Sequence, residues 1–245
     1  MKDFDSKFST GDGITAKNAN WSFEGDISKS FSSHVEKSVP FYLQGHDAVL
    51  DISDFFVKED SVCYELGVST AALLGKLSKR HNENVHWYGI DIHQSMIDQA
   101  KIELKDKDLL TKNVKLECGD IGVYDFLNSD FIVSYYTIQF IHPKYRQMIF
   151  DKIFSSLNWG GAFILFEKTR APDARFQDIN TAIYNEFKIK NGYSFDEIVA
   201  KTRSLKGVLE PFSTNGNLQM LERAGFKDIN VIFKWFCFEG FLCIK

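Results

Sequence analysis

Val62-Cys63-Tyr64-Glu65-Leu66-Gly67-Val68-Ser69-Thr70-Ala71-Ala72-Leu73-Leu74 passes from an apolar run through an acid and a single glycine into a helical pattern. A short continuous apolar run suits a strand buried on both faces, so the stretch predicts strand, tight turn and helix. Gly67 ends the strand without a Cβ, which lets a ligand lie against the backbone. Ser69 and Thr70 are expected to cap the helix that follows. Its free N–H groups and positive dipole end then face the crevice and suit a carboxylate or another anion. The pattern is that of a nucleotide-type site.

The missing residues narrow the choice of nucleotide. A dinucleotide fingerprint needs three glycines to seat a pyrophosphate, but only Gly67 is present, and no Gly-Lys-Ser/Thr phosphate loop occurs in the chain. Val85-His86-Trp87-Tyr88-Gly89-Ile90-Asp91 is a second strand ending in an acid, 24 residues after Gly67, placed to accept both ribose hydroxyls. Val114-Lys115-Leu116-Glu117-Cys118-Gly119-Asp120 is a third, where an acid meets an adenine amino group. A single strand-end acid reads equally as a turn carboxylate. Three in order, with one glycine, suit a nucleoside without phosphate, and S-adenosylmethionine (SAM) is the common cofactor of that kind.

With 245 residues, 44% of them hydrophobic, the chain can bury one large core, and a single α/β domain is expected. A formal charge of −4 supplies no basic field, which disfavours nucleic acid as a direct partner. Cys63, Cys118, Cys237 and Cys243 fall in apolar runs without Cys-x-x-Cys spacing and are expected to be buried free thiols in a reducing compartment. No leader and no apolar run near 18 residues is found, so a soluble cytoplasmic protein without membrane partner is expected. No His/Cys/Asp cluster has metal spacing, and no metal is predicted.

Residues 1–20 are polar and glycine-dotted and read as a flexible arm that orders only against something else. Residues 21–245 read as one domain. Its first part, 21–58, carries Ile27, Phe31 and Val35 and then Val49, Leu50 and Ile52 at helical spacing, and forms either a lid over the cofactor or a covering layer. From Ser61, strands near 61–66, 85–90, 114–118, 130–135 and 162–167 alternate with helices near 70–80, 94–105 and 144–157, which argues for a doubly wound parallel sheet. A helical insertion at 169–206 lies over the C-terminal ends of the strands. A helix near 216–224 and two tightly joined strands follow, which close the sheet as an antiparallel hairpin. The fold expected is α/β, Rossmann-like, of the class I methyltransferase type, with a seven-stranded, mostly parallel sheet.

Trp21-Ser22-Phe23, Ser38-Val39-Pro40-Phe41-Tyr42, Tyr64-Glu65-Leu66-Gly67-Val68-Ser69, Gly119-Asp120-Ile121, Thr137-Ile138-Gln139-Phe140, Asn158-Trp159-Gly160-Gly161-Ala162, Phe166-Glu167-Lys168, Asn191-Gly192-Tyr193-Ser194 and Ala224-Gly225-Phe226 together resemble the carboxy-S-adenosylmethionine synthase family. That resemblance implies a methyltransferase fold making carboxy-SAM from SAM and prephenate for tRNA wobble-uridine modification, and a homodimer. It places cofactor contacts at Tyr42, Gly67, Val68, Ser69, Asp91, Ile92, Asp120, Ile121 and Tyr135, with Glu65 joining them as a strand-end acid. The family has asparagine where Ile92 and Tyr135 stand. Its insertion arginine, which pairs with the extra carboxylate, aligns with Thr202, with Arg203 one residue later and Tyr193 nearby as a further substrate candidate. Neighbouring helical side chains diverge by about 100°, so Arg203 does not simply replace it. An ordinary methyl donor, SAM or S-adenosylhomocysteine, is therefore expected in preference to carboxy-SAM.

No catalytic constellation stands out, since transfer from a sulfonium can run on proximity and alignment alone. His93 and His142 are candidate bases but adjoin helix starts and read more readily as capping or surface residues. Glu167-Lys168 overlooks the substrate side, or is an ordinary ion pair. Three functions follow: a SAM-dependent methyltransferase acting on a small molecule, a carboxy-SAM synthase, and a catalytically inactive SAM-binding partner protein. Phe176, Tyr184, Phe187, Tyr193 and Phe195 in the insertion fit either a homodimer interface or a roof over the site.

Overall fold

The computed structural model describes residues 8–23 and 27–245, so the first seven residues of the expected arm lie outside it. β1 (Phe8–Ser9) and β2 (Thr15–Ala16) pair as a small antiparallel hairpin. Its turn is made by Gly11, Asp12 and Gly13, all at positive φ. The arm orders against the insertion: Ser9 Oγ donates to Glu197, and the Ala19 and Trp21 amides donate to the carbonyls of Arg203 and Ser204.

Helices α1 (Ile27–Ser38) and α2 (Tyr42–Ser53) come next. They are separate because Pro40 lacks the N–H that a continuing helix needs, and Phe41 restarts the chain from a left-handed φ of 56°. β3 (Val62–Leu66), α3 (Ala72–Arg80), β4 (His86–Asp91), α4 (Gln94–Asp106), β5 (Val114–Cys118) and β6 (Ser129–Tyr135) then alternate. A single 3-10 turn at Ile138–Phe140 leads to α5 (Pro143–Ser156) and β7 (Leu157–Lys168). The insertion folds as α6 (Ala174–Lys190), capped by Asp173, and α7 (Phe195–Ser204), capped by a reciprocal Ser194/Glu197 box. α8 (Thr214–Ala224), β8 (Asp228–Trp235) and β9 (Phe238–Ile244) complete the chain.

Seven strands form one sheet in the order β5-β4-β3-β6-β7-β9-β8. The first five pair in parallel, and β9 runs antiparallel to both β7 and β8. The two-residue alternation of a strand sorts the core. Cys63, Phe131, Val133, Ala162 and Ile164 face Val49, Leu73, Leu74 and Ile97 on one side. Tyr64, Leu66, Ile132, Phe163 and Leu165 face Phe150, Ile153 and Leu221 on the other. Both faces are covered, which is why these strands read as unbroken apolar runs. Burying each such large side chain contributes roughly 1.5–3 kcal/mol.

One expectation about the thiols is corrected. Cys63, Cys237 and Cys243 are buried, but Cys118 is exposed, because it ends the edge strand β5, which has a neighbour, β4, on one side only. Among the described residues, no helix is long and apolar enough to cross a membrane.

Candidate active site

Strand order reverses between β3 and β6, and at such a switch point the loops at the C-terminal ends part and open a crevice. β3, β4 and β5 lie side by side there, which brings Glu65, Asp91 and the Gly119-Asp120 turn into one row. Gly67 has φ 74°, and the Thr137 side chain fills the space where a Cβ would stand. Its amide and that of Val68 both donate to the Ile90 carbonyl, at 2.8 and 2.9 Å, tying the turn to β4. Asp91 Oδ2 accepts from the Ser69 amide at 3.0 Å and Oδ1 from the His93 amide at 2.9 Å. Each oxygen keeps acceptor capacity for a hydroxyl. Burial pushes the Asp91 carboxyl above its usual range, against the pull of these backbone donors.

Six of the sequence-predicted residues, Gly67, Ser69, Asp91, Ile92, Asp120 and Ile121, line one cavity of about 470 Å³. Tyr42, Glu65, Val68 and Tyr135 line a recess of about 40 Å³ that shares Gly67 and Ser69 with the cavity. Asp120 is exposed and accepts from the Gly122 amide at 2.8 Å, Ile121 is buried, and Ile92 is exposed. Glu65 is 4% exposed, and its Oε2 has no hydrogen-bond partner among the described residues. Burial first, and the nearby Asp91 charge second among the raising influences, hold its carboxyl well above the ordinary value. A buried carboxylate with one unpartnered oxygen in a glycine-floored recess is what an amino-acid ammonium group satisfies, so the residues present fit a nucleoside that carries an amino acid.

Tyr135 occupies that recess by special arrangement. Its hydroxyl donates to the Tyr42 carbonyl at 2.7 Å, and its ring packs among Tyr42, His46, Tyr136 and Phe166. Gly45 stands against that hydroxyl, where any Cβ would collide with it. The expected caps of α3 are also corrected. Ala71 is the N-cap at φ 60°, with no side-chain cap, because Ser69 is itself left-handed at φ 49° and the Thr70 hydroxyl pairs with Ser32. With Tyr136 at φ 58°, three non-glycine residues beside the site hold a backbone conformation costing about 1–3 kcal/mol each.

The cavity wall also carries cations, of which the sequence reading named Lys168 but not Lys201. Lys201 is buried, and its ammonium lies 2.7 Å from both His34 Nε2 and Ser38 Oγ. Lys168 also lines the cavity, 4.3 Å from the centre of the Tyr184 ring, whereas Lys188 sits 4.4 Å from the same ring. Burial, and then the charge of Lys188, lower the Lys201 ammonium to about 7. Burial, and then Lys168, lower Lys188 to about 8. Burial likewise lowers Lys168. Desolvated cations crowded in this way are relieved by a bound anion.

The other candidates are dispersed. Thr202 directs its hydroxyl to the Ile198 carbonyl at 2.8 Å, and Arg203 is exposed, outside the cavity wall. Tyr193 is buried, 2.8 Å from Ser38 and 3.1 Å from Asp12, behind the wall. His142 caps α5 through its side chain, whereas His93 starts α4 without a side-chain cap and lines the cavity. Glu167 is buried and accepts from the Gln139 amide, while its neighbour Lys168 faces the cavity. Trp21, Phe23, Phe31 and Val35 line the cavity, so the N-terminal region walls the site as well as covering the sheet.

Comparison with known proteins bears on this geometry. A family model described as a methyltransferase domain matches residues 64–161. The carboxy-S-adenosyl-L-methionine synthase of Staphylococcus epidermidis is 38% identical over 226 residues, covering 92% of this chain and 97% of that protein. The enzyme of the same name from Campylobacter lari is 34% identical over 223 residues, covering 91% and 94%. Among solved structures, magnesium protoporphyrin IX methyltransferase from Synechocystis with bound S-adenosylhomocysteine superposes with a TM-score of 0.65 at 10% identity, covering 91% of this chain and 96% of that one. A SAM-dependent methyltransferase from Aquifex aeolicus gives 0.60 at 16% identity, covering 90% and 99%. These structural likenesses speak for the fold alone.

Proposed function

We propose a function from one premise: this chain belongs to the carboxy-S-adenosyl-L-methionine synthase family and is a SAM-dependent transferase. The reading supported best is carboxy-SAM synthesis from SAM and a small carboxylic acid, with prephenate as the family's donor. The observation that carries it is the buried Lys201 ammonium in the cavity wall. A missing arginine at Thr202 favoured an ordinary methyl donor. Lys201, one position earlier on α7, supplies a cation that Arg203 cannot, and a charge-assisted contact to a carboxylate contributes about 1.5–3 kcal/mol. Glu65 would take the amino group of SAM, Gly67 to Ser69 its backbone approach, Asp91 the ribose hydroxyls, and Asp120 with Ile121 the adenine. The sulfonium supplies the reacting methyl group, and the residues named hold it in place.

Mass spectrometry of the nucleotide released on denaturation, before and after incubation with prephenate, tests this. Carboxy-SAM that accumulates with prephenate and is lost in Lys201→Met supports the synthase. A second reading, methyl transfer to a small anionic acceptor, draws support from Tyr135, which fills the recess where the family has asparagine. SAM or S-adenosylhomocysteine alone, with no carboxy-SAM formed, would favour it.

We also propose a homodimer. Tyr184 and Tyr193 turn inward, but Phe176 and Phe195 are 51% and 74% exposed on the insertion, near the exposed Ile179 and Val199. An apolar patch of this kind favours a partner surface, and a monomer mass by light scattering at micromolar concentration would exclude it.

A further inference from the structure

The Asp12 carboxylate, from the turn of the N-terminal hairpin, belongs to a closed ring of hydrogen bonds that ends on Lys201. The Lys201 ammonium has only hydrogens to offer, so His34 Nε2, 2.7 Å away, accepts from it. The proton of that neutral ring therefore sits on Nδ1, which donates to Asp12 Oδ2 at 2.9 Å. Lys201 also donates to Ser38 Oγ at 2.7 Å, so the Ser38 hydroxyl passes its proton to Tyr193, 2.8 Å away. The Tyr193 hydroxyl closes the ring by donating to Asp12 at 3.1 Å. Two of the three ammonium hydrogens are thereby committed. The third has no hydrogen-bond partner among the described residues and can face the cavity that Lys201 lines.

Resting on the proposed anion-binding role of Lys201, we infer that Asp12 is a positioning residue of the active site: acting through His34 and Tyr193, it orients the Lys201 ammonium toward a substrate carboxylate. Only one arrangement of protons satisfies the ring, and Asp12 sets it. With an amide at Asp12, whose NH2 can donate to Nδ1, His34 can carry its proton on Nε2, and that N–H would then oppose the ammonium. The hairpin is thus a part of the site, not a loose appendage.

Electrostatics add to the geometry. The groups facing Lys201 are His34 and Ser38 from α1, Asp12 from the hairpin, Tyr193 from the turn between α6 and α7, and Lys168 and Lys188 from β7 and α6. Lys37 also reaches Asp12. Of these, Asp12 favours the charged ammonium, whereas burial and the two lysines oppose it. Asp12 itself is raised by burial, but hydrogen bonds from Lys37, His34 and Tyr193 bring it below its ordinary value, so it stays ionised.

The test is calorimetric titration of prephenate into the full-length protein loaded with S-adenosylhomocysteine, from pH 5.5 to 9, for wild type, Asp12→Asn, Tyr193→Phe and Lys201→Met. Wild-type affinity should fall as pH rises through the Lys201 midpoint. Asp12→Asn should move that midpoint down by about one unit and weaken prephenate about tenfold at pH 7.5, the effect of removing one nearby charge. Its S-adenosylhomocysteine affinity should stay within twofold and its circular dichroism unchanged. Tyr193→Phe should act in the same direction, about threefold. An unchanged midpoint in both variants overturns the positioning role while Lys201→Met still loses prephenate. Equal loss of both ligands in both variants also overturns it, by showing a merely structural role. Wild-type prephenate affinity in Lys201→Met would instead overturn the reading on which it rests.

Discussion

Asp91 does two things at once. Its oxygens hold the Ser69 and His93 amides of two separate loops and still present lone pairs to the cavity. Asp91→Ala should weaken SAM binding by roughly 1.5–3 kcal/mol, the size of a charge-assisted hydrogen bond. It should also destabilise the empty protein by about 2 kcal/mol, since two amides lose their acceptor. Calorimetry and urea unfolding separate these effects, and a SAM affinity within about twofold of wild type would remove the ribose assignment. Glu65→Gln keeps the shape of the recess but removes the charge, so it should weaken SAM about tenfold while leaving stability the same or higher, because a desolvated acid has gone. At this scale the strand-end acids and Gly67 were legible because each stands at a sharp change of pattern. Lys201 was not: it is one of several charged residues on a short amphipathic helix, and its burial depends on His34 and on a hairpin whose polar residues announce no partner.

Among the elements, the β3–α3 turn shows why local signals misled. Ser69-Thr70 looks like a helix cap, yet the backbone stays left-handed at Ser69 and Ala71, and α3 begins only at Ala72 with no side-chain cap. By contrast, Ser194-x-x-Glu197 caps α7 as the pattern suggests, because nothing bends the chain there. The strained turn is pinned by Gly67 against Thr137. Gly67→Ala should cost at least about 2 kcal/mol, combining a positive φ with a steric clash, and should abolish detectable SAM binding. Thr137→Ala in the same chain should recover part of the stability but not all, since the alanine keeps its unfavourable φ. Full recovery, read from thermal melts, would show that the clash alone mattered. Alternation of strands and helices made the sheet legible from end to end. The left-handed cap was not, because it is imposed by tertiary contacts from Thr137, in the loop after β6, and from Ile90 and Asp91 on β4.

For the molecule as a whole, two buried neutral imidazoles shape the response to acid. Burial, and then the Lys201 charge, lower His34 to about 4, and burial with Lys76 lowers His46 to about 3. In the unfolded chain both titrate near 6.5. A depressed folded value means the unfolded state binds protons first as pH falls. The stability these groups contribute is therefore complete above about pH 6.5 and is lost as pH drops toward 4 and 3. Glu167, raised to about 8 by burial, works in the opposite direction, favouring the fold as pH falls from 8 to its unfolded value near 4.5. The bare pH profile is thus a sum of opposing parts, and one substitution separates them. His46 is 1% exposed, packs between Tyr42 and Tyr135, and has no hydrogen-bond partner among the described residues on either ring nitrogen. His46→Phe keeps a ring there and removes the proton, while Glu167 and His34 remain common to both proteins and cancel in the difference. The variant should be close to wild type in urea unfolding at pH 7.5. At pH 5.0 it should be more stable by about 2 kcal/mol, following about 1.4 kcal/mol per pH unit below 6.5. An equal difference at the two pH values would show that His46 titrates alike in the folded and unfolded chains, and that its burial does not suppress protonation.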